Sequence, residues 1–226
     1  MMLYGYWRSS STWRVRIAMH LKSVDHEERG VCLLTGEQNG PVNLARNPMG
    51  QVPALVLPGG AVLTQSVAII EWLEERFDGT ALLPSGALER ARVRQLVQVV
   101  NAQIQPLQNL SVRHRVADLG GSGQVWGRRA IEQGLDALEL MVDGPGPWLS
   151  SGALSMAELF VVPQLYNARR FNLSISRWPR LEEAERAAMR LPAFIETHPD
   201  NLSNSIALPI LSQIDDTAST REGATQ

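Results

Sequence analysis

Apolar positions in the first eighty residues follow two different periods, which predicts alternating strands and helices. Short apolar runs predict strands at residues 3–6, 27–33, 54–57 and 62–64. Apolar residues three and four positions apart predict helices at 13–22, at 41–46 and from 66 onward. The predicted order is β-α-β-α-β-β-α. Because the first connections are long and the Gly59-Gly60 turn is short, we expect a mixed sheet that ends in an antiparallel pair.

Beyond residue 86 only the helical period continues. Apolar side chains predict one long helix over 93–107, a second over 131–142 and a short one after Pro179. Ser155 and Glu158 have capping-box spacing before another helix, in which Pro163 should cause a kink or shift the start. We therefore divide the chain into an α/β domain (1–82), an all-helical domain (87–211) and a flexible tail (212–226).

Composition narrows the functional classes. In this chain of 226 residues, 44% are hydrophobic and 19% charged, so it can bury a core. The net charge of −2 argues against holding nucleic acid by phosphate neutralisation, and no apolar run reaches the length of a membrane helix. The single cysteine, Cys32, on the second predicted strand, excludes an internal disulfide and fits a cytoplasmic protein without a signal peptide. No histidine or cysteine spacing indicates a metal site.

Three polar segments fall at one edge of the predicted sheet. Hydroxyl residues at 9–12 follow the first strand, where they either cap the next helix or hold a small anion such as a thiolate or carboxylate. Residues 5–14 contain one glycine, which disfavours a phosphate loop. Val52 and Pro53 form either a rigid corner or a backbone edge for a peptide-like ligand. Ser66 serves as a helix N-cap or receives a ligand carboxylate.

Ordered motifs give these segments a family resemblance. They are Tyr-Trp-Arg-Ser-Ser-Ser-Thr-Trp-Arg-Val-Arg-Ile-Ala at 6–18, Asn-Pro-Met-Gly-Gln-Val-Pro-Ala-Leu at 47–55 and Gln-Ser-x-Ala-Ile-Ile-Glu-x-Leu at 65–73. Further motifs lie at 104–111, 155–159, 162–164 and 167–171. Over about residues 2–200 the chain resembles the zeta-class glutathione transferases, the maleylacetoacetate isomerase family. The resemblance implies a thioredoxin-like N-terminal domain, an all-α C-terminal domain, a homodimer, glutathione as cofactor and a small acidic substrate.

The resemblance also implies roles for individual residues. Ser9 would activate the thiol of glutathione, with Ser10 and Ser11 in supporting roles. The isomerisation requires a nucleophile that adds to the double bond, and in this family the thiol of glutathione is that nucleophile. The implied glutathione contacts are Ser9, Ser10, Ser11, Gln38, Val52, Pro53, Gln65, Ser66, Gln105, Asn109 and Ser111. Ser11 stands where the family has a cysteine, which disfavours redox or thiol-exchange side activities and is compatible with isomerisation.

An acidic substrate requires cations, and the resemblance points to Arg8 and Arg170, each able to clamp a carboxylate. The leading interpretation is conversion of maleylacetoacetate to fumarylacetoacetate in aromatic catabolism. A maleylpyruvate isomerase, a general glutathione transferase and an α-haloacid dehalogenase are alternatives that use the same thiolate. Leu110-Ser111 lacks the extra arginine of related maleylpyruvate isomerases, which favours maleylacetoacetate. A non-catalytic glutathione-binding protein is the alternative of another class.

Overall fold

The computed structural model describes residues 1–144, 146–150 and 152–206, and the predicted tail at 212–226 lies outside them. The first part is a four-stranded mixed sheet with helices. Its elements are β1 (Met2–Gly5), α1 (Ser10–Leu21), β2 (Glu27–Gly30), α2 (Pro41–Arg46), β3 (Ala54–Val56), β4 (Val62–Thr64) and α3 (Ser66–Arg76), with a 3₁₀ turn at Glu37–Asn39 before α2. The predicted β-α-β-α-β-β-α order is confirmed.

The strand pairing is also confirmed. The sheet has the order β2-β1-β3-β4, in which β1 and β2 are parallel and the other pairs are antiparallel. Leu3 in the central β1 lies opposite Glu28 of β2 and Leu55 of β3. Leu3 and Leu55 are fully buried, because helices cover the sheet at this position.

The second strand is shorter than the sequence predicts. It ends at Gly30, so Cys32 lies after the strand and not on it. The backbone N–H of Cys32 donates to the Glu37 carboxylate at 2.7 Å, a bond that draws the chain away from the sheet toward the 3₁₀ turn. Val31 and Cys32 are therefore buried without forming a ladder, which periodicity alone does not distinguish from a strand.

The remainder of the described chain is helical. Its elements are α4 (Ala87–Gln98), a π-helical segment (Val99–Ile104), α5 (Gln105–Gln108), α6 (Leu110–Asp118), α7 (Gly123–Met141), α8 (Met156–Arg170), a 3₁₀ turn (Ile175–Arg177), α9 (Pro179–Ala188), α10 (Pro192–Glu196) and α11 (Pro199–Ile206). Every helix among the described residues is too short or too polar to cross a lipid bilayer.

The single long helix predicted over 93–107 is wrong in its continuity. The backbone widens to a π-helix between α4 and α5, and Pro106 explains why the α-helical pattern is not kept there. Proline has no N–H to donate to the carbonyl four residues earlier, which favours an irregular turn at this point. Val93, Val100 and Ile104 are nevertheless all buried, so the predicted apolar face is confirmed up to Ile104. Leu107, the last residue of that predicted face, is exposed.

Helix α8 is the centre of the helical part and packs against α1, α4 and α9. Its capping box is confirmed, since the Ser155 and Glu158 side chains exchange hydrogen bonds with each other's backbone region. Pro163 lies inside the helix, and the start remains at Met156 instead of shifting. Glu158 also accepts from the backbone N–H of Leu149 at 2.7 Å, which fixes the loop before the helix.

Candidate functional site

The turn from β1 into α1 presents a serine hydroxyl at a helix N-terminus. Ser9 is the N-cap residue, and its Oγ accepts a hydrogen bond from the Thr12 N–H at 3.2 Å. Because the oxygen accepts this bond, the hydroxyl proton is still available to be donated to an anion. Ser10 is the first residue of the helix and is buried, whereas Ser11 is half-buried. The predicted helix cap is confirmed and coexists with an anion-binding geometry.

A second segment at this edge is the loop before β3. Its Val52–Pro53 peptide bond is cis. Asn47 holds the loop, since its Nδ2 donates to the Gln51 carbonyl at 2.8 Å and its Oδ1 accepts from the Met49 N–H at 3.1 Å. Gly50 has a φ of +60°, a conformation in which most other residues are strained.

The backbone of Gln38, in the 3₁₀ turn before α2, comes close to the same loop. The Gln38 carbonyl oxygen would lie 3.3 Å from a Cβ built on Gly50, and it accepts a hydrogen bond from Asn43 Nδ2 at 2.9 Å. Its own Oε1 is buried and has no hydrogen-bond partner within the described residues. A buried acceptor without a donor is the kind of group that a ligand satisfies.

At the third polar segment, residues 65–66 at the start of α3, the predicted N-cap residue is wrong by one position. The cap residue of α3 is Gln65, with a φ of +68°, and Ser66 is the first helical residue. The Ser66 hydroxyl accepts a hydrogen bond from Arg14 Nη1 at 3.3 Å instead of capping the helix. Backbone strain at a non-glycine residue is commonly found at ligand-binding positions.

Two arginines from opposite halves of the chain approach each other beside the serine turn. Arg8 lies over the Trp7 ring at 5.1 Å, and Arg170 Nη1 donates to Asn167 Oδ1 at 3.4 Å. Surrounding protein lowers the pKa of Arg170 by desolvation, and the neighbouring charge of Arg8 lowers this pKa further. Within the described part of the chain, neither guanidinium forms an ion pair with a carboxylate. The pair therefore carries uncompensated positive charge.

Two tyrosines near these arginines were missed in the sequence analysis. The buried Tyr6 hydroxyl has no hydrogen-bond partner among the described residues, and burial raises the pKa of Tyr6. Burial and a 2.8 Å hydrogen bond to Asp200 raise the pKa of Tyr166 to about 12. Tyr166 and Arg170 line a cavity of about 490 Å³. Their spacing of four residues on one helix was an available signal, because it puts both side chains on one face.

The three glutathione contacts predicted in the helical part, Gln105, Asn109 and Ser111, have no hydrogen-bonded connection to the serine turn among the described residues. Asn109 caps α6, where its Oδ1 accepts from the N–H and the hydroxyl of Ser111. Gln105 begins α5 and is half-buried. No hydrogen bond of the described residues connects these three side chains with the turn at Ser9.

Comparison with known proteins gives a consistent assignment. Residues 8–76 match the family model described as glutathione S-transferase, N-terminal domain. The chain is 41% identical over 206 residues to a maleylacetoacetate isomerase of Pseudomonas aeruginosa, covering 89% of this chain and 97% of the relative.

Two solved structures agree with this chain along most of their length. A bacterial maleylpyruvate isomerase in holo form, described as a zeta-class glutathione S-transferase, superposes with a TM-score of 0.85 at 35% identity, covering 89% of this chain and 98% of that one. A maleylacetoacetate isomerase from Methylobacterium extorquens AM1 with bound malonate and glutathione (GSH) superposes with a TM-score of 0.85 at 35% identity, covering 89% and 97%.

Proposed function

This chain belongs to the maleylacetoacetate isomerase family of zeta-class glutathione transferases, and we propose that it isomerises maleylacetoacetate to fumarylacetoacetate with glutathione as its cofactor. The observation that carries this proposal is the pair Arg8 and Arg170, which has no carboxylate partner among the described residues. Arg8 immediately precedes Ser9 in the chain. Such a pair fits an acidic substrate next to a hydroxyl that activates a thiol.

Ser9 is proposed to hold the thiol of glutathione in its ionised form. A free thiol has a pKa of about 8.5, so little of it is ionised at neutral pH. The available Ser9 proton and the N-terminus of α1 both favour a negative charge at this position. When bound, glutathione supplies the nucleophile that adds to the cis double bond and leaves after rotation. Ser11 is not needed for this step, so its difference from the family's cysteine is compatible with isomerisation.

The residues of the first domain fit glutathione. The unpartnered Gln38 Oε1 is proposed to accept from the ligand, and the backbone around Val52 and Pro53 to pair with its peptide groups. Gln65 and Ser66 are proposed to receive a ligand carboxylate at the N-terminus of α3. The resemblance adds Gln105, Asn109 and Ser111, and for these three it is the only support.

Arg8 and Arg170 are proposed to bind the substrate's carboxylates. Their positive charges are close enough for Arg8 to lower the pKa of Arg170, so a dianion between them would relieve the repulsion. Tyr6 and Tyr166 are close to both charges and provide hydroxyl groups at the same place. These four side chains come from the turn after β1 and from α8.

Maleylpyruvate is the second candidate substrate, and Arg113 favours it. This arginine lies in α6, near enough to Arg170 to contribute to the lowered pKa of Arg170. Its guanidinium stacks 5.0 Å from the Phe171 ring centroid. We propose that this cation, two residues after Ser111, takes the place of the extra arginine that the sequence at 110–111 lacks.

The test follows conversion of maleylacetoacetate, and in parallel of maleylpyruvate, with and without glutathione. We expect conversion only with glutathione, and Arg170→Gln should raise the KM for the acid at least about tenfold, as expected for loss of a charged hydrogen bond. Arg177→Gln is the control, because Arg177 pairs with Glu132 and Asp136, away from the cavity that Arg170 lines. Conjugation of glutathione to an electrophile without isomerisation would indicate a general transferase. Glutathione binding without any turnover would indicate a non-catalytic binding protein.

A homodimer, a cytoplasmic location and the domain limits at 82 and 87 stay predictions. The dimer rests on the family resemblance, and the location on the single cysteine.

A further inference from the structure

Arg14 is a fully buried cation whose hydrogen-bonding groups are mostly unused. It lies in α1, is 0% exposed, and donates one hydrogen bond, from Nη1 to the Ser66 hydroxyl. Its Nε and Nη2 have no partner within the described residues. A guanidinium has five N–H donors, and burying it without a counter-charge is costly.

Arg16 shows how the same helix treats a buried arginine that only supports the fold. It is 3% exposed, pairs with the Glu28 carboxylate and donates to the carbonyls of Tyr6 and Trp7. Both arginines lie on α1, two residues apart, yet among the described residues only Arg16 pairs with a carboxylate. The missing partner of Arg14 is therefore not a general feature of this helix.

The surroundings of Arg14 place its charge beneath the start of α3. Ser66 is the first residue of that helix, and the preceding Gln65 has a φ of +68°. On the other side, the guanidinium lies 4.3 Å from the ring centroid of Phe160 in α8. Burial lowers the pKa of Arg14 to about 9, so the side chain is still charged at neutral pH.

We propose that Arg14 is a positioning residue that orients Ser66 and whose charge is balanced by a carboxylate of bound glutathione at the start of α3. This inference rests on the proposed function. Since the Ser66 oxygen accepts from Arg14, its own proton points to another acceptor, and the N–H groups of the first turn add to the attraction. The carboxylate is thus held by Ser66 and attracted by the buried charge behind it.

The test compares glutathione with two analogues that each lack one carboxylate. One has γ-aminobutyrate in place of the γ-glutamyl residue, and the other ends in glycinamide. Binding is measured by calorimetry on wild type and Arg14→Met. For one of the two analogues, we expect wild type to bind about tenfold or more weakly than it binds glutathione. Arg14→Met should bind that analogue only about twofold to threefold more weakly than it binds glutathione. The analogue that shows this difference identifies the carboxylate.

Matched variants separate this effect from a loss of structure. Arg14→Gln, which keeps a donor for Ser66 without the charge, should behave like Arg14→Met and replaces it if that variant does not fold. Arg14→Lys should restore most of the discrimination. Arg94→Met removes the partner of Glu71, also in α3, and should discriminate as wild type does.

An equal loss in wild type and the uncharged variants overturns the inference. It is also overturned if wild type binds both analogues as tightly as glutathione, a result that needs no variant. Failure of the proposed function has a different signature, because the discrimination between analogues would be present while neither maleyl acid is isomerised.

Discussion

Replacement of Ser9 by alanine removes one hydroxyl that has two separable effects. Its oxygen caps α1 by accepting from the Thr12 N–H at 3.2 Å, and its proton is proposed to stabilise the thiolate of glutathione. The first effect contributes to the stability of the fold, and the second to the ionisation of a bound thiol. Ser9→Ala should therefore change both, by amounts that can be worked out independently.

The stability change is set by the lost cap. Loss of a serine N-cap costs about 1 kcal/mol in the free energy of unfolding.

The change in rate is set by the lost hydrogen bond to the thiolate. Loss of a hydrogen bond to a charged group costs about 1.5–3 kcal/mol, which raises the pKa of the bound thiol by about one to two units. The thiolate fraction near neutral pH, and with it kcat/KM, should fall about tenfold or more. The acid limb of the pH–rate profile should move upward by the same one to two units.

The assay combines urea denaturation with the pH dependence of isomerisation, and Ser122→Ala is the matched control. Ser122 caps α7, and its Oγ accepts from Val125 N–H at the same 3.2 Å. This variant should lose similar stability and keep the wild-type pH profile. If Ser9→Ala lowers stability but leaves both the rate and the pH profile unchanged, Ser9 is a cap only and our assignment of the thiol site is refuted.

Three further predictions concern stability. Glu158→Ala leaves two buried backbone N–H groups without their acceptor and should cost at least about 2 kcal/mol in urea denaturation; an unchanged midpoint would contradict it. Gly134→Ala would push a methyl group into the Ile104 side chain and should cost about 1–3 kcal/mol, which thermal unfolding would detect. Partial burial lowers the pKa of His198, so wild type should lose stability as pH falls below about 6.5, because the unfolded chain then takes up the proton first. His198→Gln should lose less stability between about pH 7.5 and 5.5, and equal losses would argue against a half-buried histidine that is neutral in the folded protein.

Local signals in the sequence were sufficient where a residue acts on its own neighbourhood. The serine cap of α1 and the capping box at Ser155 follow from side chains that bond to backbone groups within a few residues. The same reasoning failed at Cys32 and Pro106. A buried apolar run resembles a strand until its hydrogen bonds are known, and a proline after a periodic run does not reveal how the preceding turns adjust.

The sequence by itself determined the element order, the mixed sheet, the family and the residues around which a site forms, because periodicity, capping and motif order are local or ordered along the chain. Only the tertiary structure decided which charges meet. It brings Arg170 to Arg8 and puts an uncompensated Arg14 behind Ser66, contacts between distant residues that no spacing encodes. Whether a buried cation has a counter-charge depends on what every packed element contributes, and that is a property of the folded chain alone.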